Sequence, residues 1–142
     1  MTGYSKVFVD TAPIIYFLDE DVHFGEKARL IFEEILSEGK QIISSSVTCL
    51  EYLVYPYRNG NQEKVDVFFE FAEREGLSLI SITVDIAKIA AKIRAEYTSF
   101  KAMDAIQLAV AMTTGCDVFL TNDDQLKQYK GIKVLTVEEW VL

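Results

Sequence analysis

Histidine is almost missing from this chain: His23 is the only one in 142 residues. One imidazole cannot build a metal cluster, and a His-based catalytic triad would have to rest on this residue alone. His23 follows the acidic run Asp19-Glu20-Asp21, has no partner at ligand spacing, and is expected to be exposed and without a role. Cysteine is nearly as sparse. Cys49 and Cys116 lack the spacing of zinc ligands and read as free thiols. Long apolar runs are missing too: the longest are about five residues, against the roughly 20 that span a bilayer. No charged-then-apolar leader pattern opens the chain, so the expected location is the cytoplasm, with no membrane contact. Positive charge is also short, with 14 Lys and Arg against 22 Asp and Glu and a net charge of −8. That argues against a broad basic face for holding nucleic acid, while nucleic acid as a substrate stays open. Acids gathered in one site would recruit a divalent cation, which both neutralises them and attracts phosphate.

What is present is a globular composition, 50% hydrophobic and 25% charged, sized for one domain over residues 1–142. Strand and helix alternate five times. Lys6 to Asp10 reads as a strand ending in an acid, followed by a helix through Leu18 with Thr11 as N-cap and Pro13 in its first turn. A helix over 26–38 turns Ala28, Ile31, Phe32 and Ile35 inward, and Gly39 ends it. Gln41 to Ser44 is the second strand, and Ser45 or Ser46 caps a helix from Val47 to Tyr55, stopped by Pro56. Gln62 to Glu75 is a helix with Val65, Phe68, Phe69 and Ala72 inward, and Leu77 to Ile82 a third strand. Thr83 caps a helix from Val84 to Tyr97, in which Asp85 suits the positive end. Lys133 to Leu135 is the fifth strand, and Val137 to Leu142 is expected as a terminal helix anchored by Trp140. The class that follows is α/β: a three-layer α/β/α sandwich with a mainly parallel five-stranded sheet.

The chain is organised around Asp104 to Asp123. An acid opens a small, apolar helix, Gly115 closes it, a short apolar strand follows, and a second acid arrives at the strand's end. Such a helix-strand unit returns both acids to one edge of the sheet, where their repulsion calls for something positive between them. Asp10 stands at the end of the first strand, the edge where open α/β sheets bind ligands. Glu51 shares a helix face with Val47, Leu50, Val54 and Tyr55, and an acid on a core-facing stripe needs a partner or a metal. Asp124 competes with Asp123, but it suits the N-cap of the following turn.

Asp10, Glu51, Asp104 and Asp123 thus form a set with oxygen ligands only, which points to Mg²⁺ or Mn²⁺ over zinc. Those ions suit phosphodiester hydrolysis. Thr11, Ser45 and Thr121 lie beside these acids and are candidates to orient water. Arg94 and Lys101 bracket the approach to Asp104 as candidates for phosphate.

The order of these motifs resembles the PIN-domain nucleases, most closely their VapC-like toxin branch. The resemblance runs from Val9-Asp10-Thr11 through Ser44 to Glu51-Tyr52-Leu53, the Ile86 to Tyr97 helix, Asp104-Ala-Ile-Gln-Leu-Ala and Leu120-Thr-Asn-Asp123. It implies a Mg²⁺- or Mn²⁺-dependent ribonuclease with Asp10, Glu51, Asp104 and Asp123 as catalytic, metal-binding residues. It also implies RNA as substrate, a homodimer, and inhibition by a small cognate antitoxin. Met103 departs from the family, where a small residue or proline is common before the third acid.

Tyr52, Tyr55, Tyr57, Phe68, Phe69 and Phe71 place more rings on two successive helices than one buried face needs. Some are expected at a dimer contact or in a groove for an antitoxin helix. Among rivals, a phosphoacceptor receiver needs an acid pair after its first strand and a lysine after its fifth, and Leu135-Thr136 supplies no lysine. A haloacid-type phosphatase needs an acid where Ala12 stands. A non-catalytic PIN-like module that binds a partner or RNA remains the alternative.

Overall fold

The computed structural model describes residues 3–142. Its strands are β1 (Lys6–Val9), β2 (Gln41–Ser45), β3 (Leu77–Ile80), β4 (Val118–Thr121) and β5 (Lys133–Thr136). They form one sheet in the order β3-β2-β1-β4-β5, and every pairing is parallel. The helices are α1 (Thr11–Leu18), α2 (Gly25–Ser37), α3 (Ser46–Arg58), α4 (Gln62–Arg74), α5 (Val84–Glu96) and α6 (Ala102–Thr113), with a 3₁₀ turn at Asp124–Gln128.

The period-2 alternation of β1 decides the layers. Val7 and Val9 enter the core beneath α1, α2 and α4, where Ile14, Ile31, Phe32, Phe68 and Phe71 meet them. Phe8 faces the other way, into the core covered by α5 and α6. There its ring stacks on Phe119 of β4 at 4.9 Å and 7°. Ala105, Ala109 and Ala111 are fully buried and keep α6 close to the sheet. Gly115 ends that helix with φ +73°, a left-handed conformation that a side chain would strain, so the chain can turn directly into β4.

Several boundaries differ from the sequence reading, each for a local reason. Asp10, not Thr11, caps α1, because its carboxylate reaches the Thr11 N–H at 2.9 Å. Helix α3 continues past Pro56 to Arg58, and the N–H groups of Asn59 and Asn61 take up the Tyr55 and Pro56 carbonyls. Asp123, not Asp124, caps the 3₁₀ turn through the Gln125 N–H, while Asp124 pairs with Lys127. On α4 the second inward ring is Phe71, and Phe69 is exposed. Beyond β5 there is a turn and no terminal helix, since six residues are too few to carry nucleation. Trp140 is nevertheless the expected anchor: it is buried, and its indole N–H donates to Glu34 at 2.9 Å.

Candidate active site

The adjacency of β1 and β4 builds the site. Val9 pairs with Leu120, and the Asp10 N–H continues the ladder to the Leu120 carbonyl at 2.9 Å. Asp10 therefore leaves the sheet beside Thr121, whose hydroxyl donates to Asp10 Oδ2 at 2.8 Å. Its Oδ1 accepts from the Thr11 N–H and from the Gln107 amide at 3.2 Å. Three donors thus fix one carboxylate.

Gln107 is the hub behind it. Its Nε2 also donates to Thr48 Oγ1 at 2.9 Å, and its Oε1 accepts from Ser45. Thr48 meets Ser44 at 2.7 Å and Thr11 at 3.2 Å, and Ser44 donates to the Val9 carbonyl at 2.7 Å. All of these side chains are buried, and among the described residues no buried side-chain polar atom lacks a partner. A network satisfied in full holds its members in one arrangement.

Glu51 is placed differently from the sequence expectation. Helix α3 buries Val47, Thr48, Tyr52, Leu53 and Pro56, so Leu50 and Tyr55 are exposed and Glu51 lies outside the core. Thr11 Oγ1 donates to Glu51 Oε1 at 2.6 Å and draws that carboxylate toward Asp10. Asp104 occupies the first turn of α6 and accepts the Lys101 N–H at 3.2 Å. Asp10, Glu51 and Asp104 line one cavity of about 260 Å³, together with Thr11, Ala12 and Ile15. Asp123 is not among those walls, but its charge acts on Asp104.

Burial pushes the Asp10 carboxyl up to about 6; the Thr11, Thr121 and Gln107 donors oppose the rise and the charge of Glu51 adds to it. Burial also raises Asp104 above the ordinary carboxylate range, against the pull of the Lys101 N–H, with the charges of Asp123 and Glu51 adding to the rise. The cation expected between Asp104 and Asp123 is supplied only at a distance. Lys101 lowers Asp104 by its charge, yet among the described residues no lysine or arginine stands in ion-pair contact with any of the four acids.

That electrostatic deficit and an all-oxygen donor set fit a hard dication. As they stand, no three acids among the described residues converge on one point closely enough to ligate an ion, so coordination would need side-chain rotation.

The other expected helpers have structural duties. Arg94 donates from Nε to the Phe100 carbonyl at 3.1 Å and secures the α5–α6 connection. The hydroxyls of Thr11, Ser45 and Thr121 each donate to a protein acceptor, so none is a free donor for a water. His23 is exposed and both cysteines are free, as expected. Thr48 and Gln107 were not singled out from the sequence. Each lies three residues from an acid on its own helix, Thr48 before Glu51 and Gln107 after Asp104, and that spacing was the available signal.

Three solved structures are similar over nearly the whole chain. DNA-bound VapBC from Salmonella typhimurium matches at 22% identity and a TM-score of 0.76, covering 94% of this chain and 98% of its own. VapBC2 from Rickettsia felis bound to a promoter DNA fragment matches at 16% identity and a TM-score of 0.74, covering 92% and 98%. A toxin-antitoxin complex from Klebsiella pneumoniae matches at 22% identity and a TM-score of 0.66, covering 94% and 99%. At these identities the likeness shows the fold. Among curated proteins there is no significant match. The PIN domain model matches residues 7–132, and with that span, this sheet order and this site, the chain belongs to the PIN-domain family.

Proposed function

We propose that this protein is a Mg²⁺- or Mn²⁺-dependent endoribonuclease, the toxin of a toxin-antitoxin pair, acting in the cytoplasm. The observation that carries this reading is the cavity where Asp10, Glu51 and Asp104 meet without a basic side chain in ion-pair contact among the described residues. Asp10, Glu51, Asp104 and Asp123 would hold the cation. When bound, it lowers the pKa of the attacking water and offsets charge on the phosphodiester.

The chain's own residues do the rest. Asp10 is oriented by three donors, from Thr11, Gln107 and Thr121, and Glu51, Asp104 and Asp123 by one each, so the rotation that coordination needs would fall mainly to those three. Asp104, half-buried at the start of α6, closes the third side. A small cognate antitoxin as partner is supported by the VapBC and toxin-antitoxin assemblies among the similar structures. A homodimer is supported by the exposed Leu50, Tyr57 and Phe69 of α3 and α4.

The test is cleavage of structured RNA by purified protein in Mg²⁺, in Mn²⁺ and in EDTA, beside Asp10→Asn and Asp104→Asn. Cleavage is expected with either metal and in neither variant. Activity that survives both substitutions would remove these acids from the chemistry, and RNA binding without cleavage would favour the non-catalytic module.

A further inference from the structure

The acidic cavity does not end at Glu51. Ile15 and Glu51 are also walls of a second cavity of about 230 Å³, which runs along α3 to the α3–α4 connection. One helical turn, about 6 Å along the axis, separates Glu51 from Tyr55. Both side chains lie on the same face of α3 and both line this cleft.

Its floor and its open side differ. Tyr52 is buried, stacked on Phe68 at 5.0 Å and 21°, and its hydroxyl donates to Asp19 at 3.1 Å. Tyr55 is 71% exposed, so its ring is open to a ligand. Asn59 and Asn61 stand at the far end, and Asn61 spends its side-chain carbonyl on the Lys64 N–H, leaving its NH₂ group to donate. The charge balance says what does not enter. Lys64 is held by Asp19 at 3.3 Å, and with Glu51 at the mouth the cleft offers no surplus positive charge for phosphate. An open aromatic ring beside amide side chains offers the stacking and hydrogen bonding by which an unstacked nucleobase is held.

We propose that this cleft seats one unpaired base of the RNA, stacked on Tyr55, next to the nucleotide whose phosphate enters the acidic cavity. The assignment rests on the ribonuclease reading above and adds to it the side chain that would hold a base, one left unpaired in the substrate, since a paired base cannot reach the ring. Tyr55 belongs to a different face of α3 from Leu50 and Tyr57, so the seat and a protein contact do not compete for the same side chains.

The experiment is steady-state cleavage of a labelled single-stranded oligoribonucleotide in Mn²⁺ by wild type, Tyr55→Ala and Tyr55→Trp. A second substrate carries one abasic residue beside the cleavage position. Expected is a KM raised about tenfold in Tyr55→Ala, with kcat little changed, and recovery in Tyr55→Trp. The abasic substrate should bind less well to wild type but no less well to Tyr55→Ala. Equal KM in wild type and Tyr55→Ala, or an abasic penalty that is the same in both, overturns the seat.

If wild type cleaves no RNA, the nuclease reading falls separately. Fluorescence anisotropy of the same oligonucleotide then decides the seat. Weaker binding by Tyr55→Ala supports it, and equal or absent binding overturns it. Matching melting curves will show that the exposed substitution has left the fold intact.

Discussion

Asp10 carries two duties that pull against each other. As N-cap of α1 it profits from a negative charge facing the helix N-terminus, and as a buried group beside Glu51 it is penalised for that charge. Burial wins, and the folded-state carboxyl titrates at about 6 against an ordinary value of 3.8. The sign of the resulting pH dependence follows. A raised carboxyl contributes its stability in full below about 4 and loses it as pH rises through 6, because only the folded state still holds the proton in that window. Glu139 works in the opposite sense. Its carboxyl, bonded by Lys127 and the Thr136 backbone N–H, is lowered to about 2, so its contribution is complete above its ordinary 4.5 and fades only as pH falls. The two windows overlap only between 3.8 and 4.5. In EDTA the wild type should therefore lose on the order of 2 kcal/mol more unfolding free energy than Asp10→Asn between pH 4 and 7, the variant keeping only the contributions of the raised Asp104 and the lowered Glu139. Urea unfolding across that interval checks it. A wild-type curve as flat as that of the variant would mean that Asp10 is not strained by its surroundings.

Helix α3 shows what could be read from the sequence at the level of elements and what could not. The five strands, the cap at Thr83 and the closing Gly115 were visible, because capping and left-handed glycine are local chemistry, while the α3 cap stood between Ser45 and Ser46 and the third strand ends at Ile80, short of the expected Ile82. The buried face of α3 was not. A hydrophobic count assigns Thr48 to solvent, yet Ser44 and Gln107 satisfy its hydroxyl and it lies fully buried, which rotates the whole helix and moves Glu51 to the margin. On α4 the run Val-Phe-Phe-Glu-Phe gives two competing stripes, and only packing against Tyr52, Phe17 and Phe32 selects Phe68 and Phe71. Phe69 is left 46% exposed. If it belongs to a dimer contact, Phe69→Glu should run as a monomer in light scattering while keeping the wild-type melting temperature. An unchanged mass with normal folding removes α4 from that contact.

At the scale of the whole molecule, the ribonuclease proposed above would set a net charge of −8 against a polyanionic substrate. Proteins that hold nucleic acid by lysines and arginines release condensed counterions, and their affinity falls with salt by a slope of about −0.7 per phosphate on single strands. Here two positive side chains are tied to the site: Lys101, whose charge is felt by Asp104, and Lys64, which Asp19 already engages. With a net charge of −8 the composition argues against a broad basic track, so in the proposed reading attraction would come from the bound cation and from stacking, and stacking is weakly dependent on salt. A plot of log kcat/KM against log[KCl], at saturating Mn²⁺, should therefore have a slope no steeper than about −2, equivalent to fewer than about three phosphate contacts. Removing the cation should abolish cleavage at every salt concentration. A steep slope, near that of a basic nucleic-acid-binding domain, would instead require several of the 14 cationic side chains to gather along the RNA, and the division of labour between a metal-held phosphate and a stacked base would fail.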